Sequence, residues 1–557
     1  MLETRRSHTF KLEKTIAFII SLTFIFSLSS QEKLLSAIES YYDFLSLDGY
    51  AERPCLNYRT LSDSKWAITD PKKNDWVKQI KFGSSNKSNT LKIYGPELFV
   101  SYNGASPYGQ NDGLLWQGKG INTYLSAGIR YEKKGWEITF KPELSFSANR
   151  EFEFMPPNPY YRGDLYLNKA DTYGYHGVYS IDAPQRFGNK SFVHFGWGDS
   201  EIRYSAKTFT VGFGTQYLWL GPAKLNPIMH SNNALSYPRF DIGIRPTRIR
   251  FGTWNAGKIE ARLWLGQLNE SDFFDHEEEN DFRLITGLSV AYAPSFLKGL
   301  TITANRDFLC QWEYKSILSV PDLFFIPMNI HGGRDTWDQR ASIGFNYLLT
   351  EAGFEVYTEI GLNDYSPGLD GYIRYPFRSL VYTSGLRKSV SVNAFGKSLR
   401  GELMVEVTDL EVSQDFQFDW PSTYYAHHQI KQGYTNGGQW LGAGNGTGGN
   451  SQYVGFKIYH QKGNVGIYIH RSNPDNDYIY QASIGTDNTE IVKENIRNFK
   501  AIMSSGIHGV YFIRPGIQLR GGISYIVEHN PLYNAISWEE TSKRPSIHIE
   551  TGIIYTL

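Results

Sequence analysis

YLSAGIRYEKKGWEITF, residues 124–140, is the unit from which most of the chain is built. Leu125, Ala127, Ile129 and Tyr131 put an apolar side chain at every second position, and Ser126, Gly128, Arg130 and Glu132 between them are small or charged. Successive side chains of a strand point to opposite faces, so this pattern predicts a half-buried strand. Lys133, Lys134 and Gly135 make a short polar turn, after which Trp136, Ile138 and Phe140 alternate with Glu137, Thr139 and Lys141. One face of the hairpin is apolar and the other ionic. A soluble sandwich and a membrane barrel both use such a ribbon, and what separates them is how the unit is repeated.

The repetition runs from about Leu91 to the end. Short breaks fall at Lys133–Gly135, Ser205–Thr208, Asn255–Lys258, Pro294–Gly299, Leu349–Gly353, Gly396–Gly401, Gln461–Asn464 and Arg514–Gly516, each flanked by alternating strands. Between the hairpins lie long polar, aromatic and glycine-rich loops, at 149–199, 221–243, 269–283 and 411–450 among others. Eight turns join sixteen strands, and a strand at each end, about 91–103 and 546–557, makes eighteen. Short turns on one side and long loops on the other are the organisation of an outer-membrane barrel whose short turns face the periplasm. The last stretch, SIHIETGIIYTL, alternates throughout and suits a closing strand that pairs with the first.

Composition agrees. The 557 residues hold 38 Tyr, 34 Phe, 13 Trp and 53 Gly, rich in strand formers, interfacial aromatics and turn residues. After residue 30 no apolar run reaches the roughly 18 residues a membrane helix needs. Residues 1–30 carry Arg5, Arg6, Lys11 and Lys14 ahead of an apolar run from Ile16 to Leu28, which predicts an export signal. Without their four basic and two acidic groups the balance is 52 basic to 54 acidic, which offers no field for nucleic acid. Leu34, Leu35, Ile38, Tyr41, Tyr42 and Leu45 then follow the 3, 4, 7 spacing of one helical face up to Gly49, so residues 31–90 are expected to form a small helical periplasmic domain leaning on the 91–557 barrel. This topology puts Cys55 and Cys310 on opposite sides of the membrane and predicts no disulfide between them.

Several stretches resemble the capsule-assembly Wzi family of Gram-negative outer-membrane proteins. They are Tyr41–Ser62, Tyr102–Gly120 (YNGASPYGQNDGLLWQGKG), Ile181–Gly188 (IDAPQRFG), Gly212–Asp241 with WLGPAKLNPIMHSNNA and YPRFDIG, Gly266–Asp275 (GQLNESDFFD) and Gly433–Gln452 (GYTNGGQWLGAGNGTGGNSQ). The resemblance implies a barrel of about eighteen strands with a helical domain at its periplasmic mouth. It also implies a lectin-like role in retaining or organising capsular polysaccharide.

Other constellations have plainer readings. Glu355 and Glu359, like Glu402 and Glu406, suggest the paired carboxylates of a glycoside hydrolase, but their period of two points them into the barrel, where polar side chains are normal. Gly444, Gly446 and Gly449 match a nucleotide-loop spacing, yet a strand follows instead of a helix. The acidic run Asp272–Asp281 is read as a solvated loop, and neither His427–His428 nor His276–Glu277 has metal-site spacing, so no metal or cofactor is expected. His230 beside Ser231 does not make a catalytic triad. Flat aromatic faces stack on sugars, which makes the loop residues Trp116, Tyr160, Tyr161, Trp312, Trp337, Trp420, Tyr424, Tyr425 and Trp440 the glycan-binding candidates.

The sequence therefore predicts an exported, monomeric, non-enzymatic outer-membrane barrel, plugged or capped by its N-terminal domain. Its expected partners are capsular or other surface polysaccharide, outer-membrane lipid and lipopolysaccharide, and periplasmic export machinery. The rival is a porin in which Arg130, Glu137, Arg203, Glu260 and Arg262 line an aqueous channel.

Overall fold

The computed structural model describes residues 37–60, 65–80, 89–155, 181–275, 277–312, 324, 326–328, 337–363, 368–374, 376–377, 380–394, 396–411, 423–474, 476–477, 499–534 and 541–556. The expected export signal at 1–30 and residue His276 lie outside them. Twenty strand segments form one closed antiparallel sheet; two pairs of segments are halves of an interrupted strand, which leaves eighteen strands. They are β1 (Asn89–Asn103), β2 (Gly120–Lys133), β3 (Trp136–Phe140 with Glu143–Ser147), β4 (Phe192–Gly196 with Glu201–Ala206), β5 (Phe209–Gly214), β6 (Arg239–Phe251), β7 (Trp254–Asn269), β8 (Phe282–Pro294), β9 (Leu300–Gln311), β10 (Asp338–Leu349), β11 (Phe354–Leu362), β12 (Leu380–Ala394), β13 (Lys397–Asp409), β14 (Asn450–His460), β15 (Gly463–Asn473), β16 (Ala501–Arg514), β17 (Ile517–His529) and β18 (Lys543–Thr556). β18 pairs with β1, Thr551 opposite Val100, and closes the ring. In β3 the break falls at Pro142, which has no N–H for the ladder.

All eight short connections lie where hairpins were expected, two of them shifted. Lys134 and Gly135 have φ of 48° and 88°, the positive values that a two-residue primed turn requires. The third turn is at Gly252–Thr253 rather than 255–258, because Arg250 pairs with Asn255 and Ile249 with Gly257, so the glycine marks a bulge. Gly401 likewise lies inside the β13 ladder, opposite Ile458, and the sixth turn is at Gly396, between Ala394 and Lys397.

The alternation is inside out. In β2, Leu125 is 42% exposed and Ile129 50%, whereas Arg130 is 2% exposed. The same outward apolar face continues through Phe213, Phe240, Phe345, Val356, Val454, Ile469, Ile523 and Ile549, on strands all round the barrel. Soluble proteins rarely expose apolar patches above a few hundred Å², so this surface is a membrane-facing band.

The polar interior is filled by chain rather than left as a lumen. At the short-turn end the helix α1 (Ala37–Leu47) enters the barrel, ended by Gly49 at φ 71°. Its Tyr41 stacks on Trp76 at 4.1 Å, its Phe44 stacks on Tyr459 of β14 at 4.2 Å, and Trp76 meets Phe512 of β16 edge-on at 5.1 Å. The rest of the described N-terminal segment is turn, a short 3-10 helix at Pro71–Lys73 and a two-residue strand pair, so its helical content is concentrated in α1. From the other end, the loop 215–238 and residues 423–449 fold inward and build a second core around Ile228, Leu268, Ile285, Tyr425, Tyr434 and Leu441.

Inward-facing charges hold both plugs. Asp43 of α1 accepts from Arg387 of β12 at 2.7 Å, Arg53 at 2.8 Å and Lys224 at 3.1 Å, while Glu355 of β11 accepts from Arg53 and Arg387 at 2.5 and 2.8 Å. Burial alone raises the Asp43 carboxyl, but Arg387, Arg53 and Lys224 outweigh it and hold it well below the usual carboxylate range. Glu406 takes the backbone N–H groups of Lys224 and Asn226 at 2.7 Å each, Glu359 that of Ile228 at 3.0 Å, and Glu260 that of Tyr58 at 2.7 Å. Of the carboxylates with hydrolase-like spacing, Glu355, Glu359 and Glu406 thus clamp the barrel onto its own plugs, and Glu402 pairs with Arg387 of the wall at 2.6 Å.

Candidate functional site

Three sequence stretches far apart in the chain converge at the long-loop end on a cavity of about 320 Å³. Tyr108, Gln110, Trp116 and Gln117 come from the connection between β1 and β2, Ala183–Gln185 from that between β3 and β4, and Gly438–Trp440 with Gly444–Gly446 from the inward-folded loop before β14. His470, Glu528 and Arg544 of the wall also line it, as do Phe152–Met155, Lys500 and Tyr533. A cavity of this size, lined by aromatic rings and a few polar groups, falls at the small-ligand end of binding sites.

The rings are held from behind. Trp116 packs tilted against Phe187 at 4.9 Å, and Trp440 lies nearly parallel to Tyr425 at 6.2 Å and 24°. Gly446, at φ 82°, lets the loop pass over Trp440: a Cβ there lies 3.2 Å from the indole. The glycines of the nucleotide-loop spacing therefore serve close approach. Opposite them, Glu528 accepts from Ser106 at 2.9 Å and pairs with Arg544 at 3.2 Å, and Lys500 sits 5.9 Å above the Tyr533 ring.

Three lining residues keep buried polar atoms without a protein hydrogen-bond partner: Trp116 through Nε1, His470 through Nε2, and Asn445 through both Oδ1 and Nδ2. A buried amide left wholly unpaired costs about 1–3 kcal/mol, and native structures carry few such groups. The residues that carry these atoms, Trp116, His470 and Asn445, all line one cavity, together with Trp440. That combination matches a ligand with a flat apolar face edged by hydroxyls.

Of the nine aromatic candidates, this site gathers Trp116 and Trp440. Tyr424 and Tyr425 are buried in the inward-folded core, where the Tyr425 hydroxyl donates to Ile228 O at 2.7 Å and accepts from Ala443 N at 2.9 Å. Trp312 follows β9, its N–H bonded to Phe282 O at 3.0 Å, and Trp337 meets Phe308 edge-on at 6.2 Å; neither lines the cavity. Tyr160, Tyr161 and Trp420 lie outside the described residues. Tyr108, His470, Asn445, Tyr533 and Arg544 escaped the sequence reading. Tyr108 and Asn445 stood inside the Tyr102–Gly120 and Gly433–Gln452 stretches, and only the fold brings His470, Tyr533 and Arg544 to them.

In the acidic loop, Asp275 accepts from Glu277 N–H at 2.9 Å and Asn280 at 3.1 Å. The Glu270 carboxyl just before it takes Gln432 Nε2 at 2.5 Å, and burial pushes its pKa up to about 8.

The chain superposes on the outer-membrane protein Wzi of Escherichia coli, a carbohydrate-binding β-barrel involved in group 1 capsule assembly, with a TM-score of 0.56 and 13% identity over 95% of this chain and 99% of that one. The outer-membrane protein OprD of Pseudomonas aeruginosa matches with a TM-score of 0.39 and 8% identity over 87% and 96% of the two chains. No curated protein sequence matches the chain. The sequence pattern of the capsule assembly protein Wzi matches residues 100–534, most of the chain, and this protein therefore belongs to the Wzi family of outer-membrane β-barrels.

Proposed function

We propose that this protein is a non-enzymatic, lectin-like component of the outer membrane that holds capsular polysaccharide at the cell surface. The observation that carries the reading is the cavity at the long-loop end, where Trp116 and Trp440 flank the unpartnered polar atoms of Trp116, His470 and Asn445. Stacking on a pyranose face and hydrogen bonding to ring hydroxyls use those two kinds of group together. Family membership supports the same reading, as does the carbohydrate binding of the Escherichia coli barrel. Binding without turnover fits the interior carboxylates, since Glu355, Glu359 and Glu406 are engaged in holding the plugs.

The test is titration of the purified protein in detergent with capsular oligosaccharide, followed by tryptophan fluorescence and calorimetry, for the native chain and for Trp116→Ala and Asn445→Ala. Saturable binding that both variants weaken, with the oligosaccharide recovered intact, supports the reading. Intact protein that binds no oligosaccharide overturns it, and shortened product makes the protein an enzyme.

A further inference from the structure

At the opposite, short-turn end a much larger cavity, about 1090 Å³, separates the N-terminal plug from a barrel wall to which β1, β2, β6–β10, β17 and β18 contribute. Eleven lysines and arginines line it against five carboxylates. Four of those carboxylates are occupied: Glu39 accepts from Trp66, Asp43 from the arginines and lysine described above, Asp199 pairs with Lys141 at 3.2 Å, and Glu97 lies 3.8 Å from Arg520. Glu52 remains. Among the described residues Arg59, Arg248, Lys258 and Lys298 form no ion pair, so the cavity keeps an excess of about three positive charges.

Two of these groups are placed against the ordinary rules of sheet construction. Arg248 of β6 stands directly opposite Lys258 of β7. Like charges in that position repel and destabilise the pair. Lys298 adds a third charge from the turn between β8 and β9, and Arg59, its guanidinium 5.1 Å from the Trp219 ring, a fourth from the plug side. The four charges come from four different elements around one large chamber.

We infer that this chamber is a second, periplasm-facing binding site, selective for an acidic oligosaccharide whose repeated carboxylate or phosphate groups meet Arg59, Arg248, Lys258 and Lys298. The charge selectivity stands on the geometry alone; that the polyanion is a glycan rests on the function proposed above. Such a site gives the protein a contact with acidic polymer on the inner side of the membrane, separate from the aromatic cavity on the outer side.

The experiment uses the full-length protein in a non-ionic detergent and three probes, a hexasaccharide of glucuronic acid, the neutral maltohexaose and hexaglutamate, with inorganic phosphate as a competitor. The native chain is compared with the triple variant Arg248→Gln, Lys258→Gln, Lys298→Gln, all at or near the exposed turns, and with Trp116→Ala. The expected result is binding of the acidic hexasaccharide that weakens at least about tenfold in the triple variant and severalfold from 50 to 200 mM salt. Maltohexaose does not compete, and the triple substitution weakens acidic-probe binding by the same factor in the Trp116→Ala background, where the outer cavity is disabled. Competition by phosphate at millimolar concentration assigns the contacts to phosphate chemistry, and its failure assigns them to carboxylates; both preserve the site. Equal affinity of the native chain and the folded triple variant, or no binding by the native chain, overturns the site. Hexaglutamate binding as tightly as the hexasaccharide overturns the glycan assignment. Loss of binding in Trp116→Ala alone places the acidic probe in the outer cavity and overturns the second site.

Discussion

Asp43→Ala removes the centre of the clamp on the N-terminal plug. In the native chain one carboxylate receives Arg387, Arg53 and Lys224 within 3.1 Å, and it is almost wholly buried, as are Arg387 and Lys224. After the substitution those three cations are left with Glu355 and Glu402. Breaking a buried ion pair from one side costs about 3–5 kcal/mol, because the remaining charge stays desolvated. At about 1.4 kcal/mol per factor of ten, the docked state of the plug loses between roughly a hundredfold and a few thousandfold of its preference. The apolar contacts of Tyr41, Phe44, Leu45 and Trp76 remain, so the plug is expected to stay docked most of the time and to open transiently. The assay is single-channel recording in a planar bilayer, paired with trypsin digestion of the N-terminal segment. The native protein should be silent and protease-resistant, and Asp43→Ala should show brief openings and faster cleavage. Unchanged conductance and cleavage in a correctly folded variant refute the clamp. Steady openings of the native chain refute the plug itself and favour the porin.

Four further outcomes follow from the same geometry. Asp43 has its pKa held below that of an unfolded chain, so its stabilisation is present above about pH 4 and is lost only as pH falls through the lowered native value; plug docking, followed by the fluorescence of the buried Trp76, should therefore persist at pH 5 and fail in stronger acid. Glu270 is shifted the other way, from 4.5 up to about 8, so the native loop holds a proton that the unfolded chain gives up, and stability should decline between about pH 5 and 8; Glu270→Gln should flatten that slope in thermal melts. Asn445→Ala deletes an amide with no protein partner, so it should leave the melting temperature unchanged or higher while weakening oligosaccharide binding, and a marked loss of stability contradicts the assigned role. Gly446→Ala forces a Cβ into a positive-φ position 3.2 Å from Trp440, which should cost about 1–2 kcal/mol in denaturant unfolding and reduce binding by displacing the indole.

The barrel was legible because two signals in the chain are periodic and local. Alternation marks each strand, and the short polar breaks mark one end of the barrel. The turns that moved, to 252–253 and to Gly396, did so because Gly257 and Gly401 belong to the ladder, and a glycine in a strand looks like a turn until its partner is known. The plugs were harder to read. Loop residues such as Tyr424 and Tyr425 sit in polar, glycine-rich sequence that resembles solvent-exposed connection, yet they form a core because they pack with Ile228 of the 215–238 loop, whose backbone N–H groups at Lys224, Asn226 and Ile228 are held by wall carboxylates. The site shows both sides of this. Trp116 and Trp440 were readable as residue types, whereas the placement of His470, Tyr533 and Arg544 beside them depends on strand register and ring closure, which no local pattern encodes.

The central claim is that the outer cavity retains polysaccharide on the cell. Its most direct test is the partition of capsular polymer between cells and medium in a strain lacking the chain, complemented either with the native gene or with a Trp116→Ala, Asn445→Ala double variant. The account predicts that the deletion and the double variant both release polymer into the medium, with total synthesis unchanged and the variant present in the outer membrane at the native level. Polymer that stays on cells lacking the protein contradicts it.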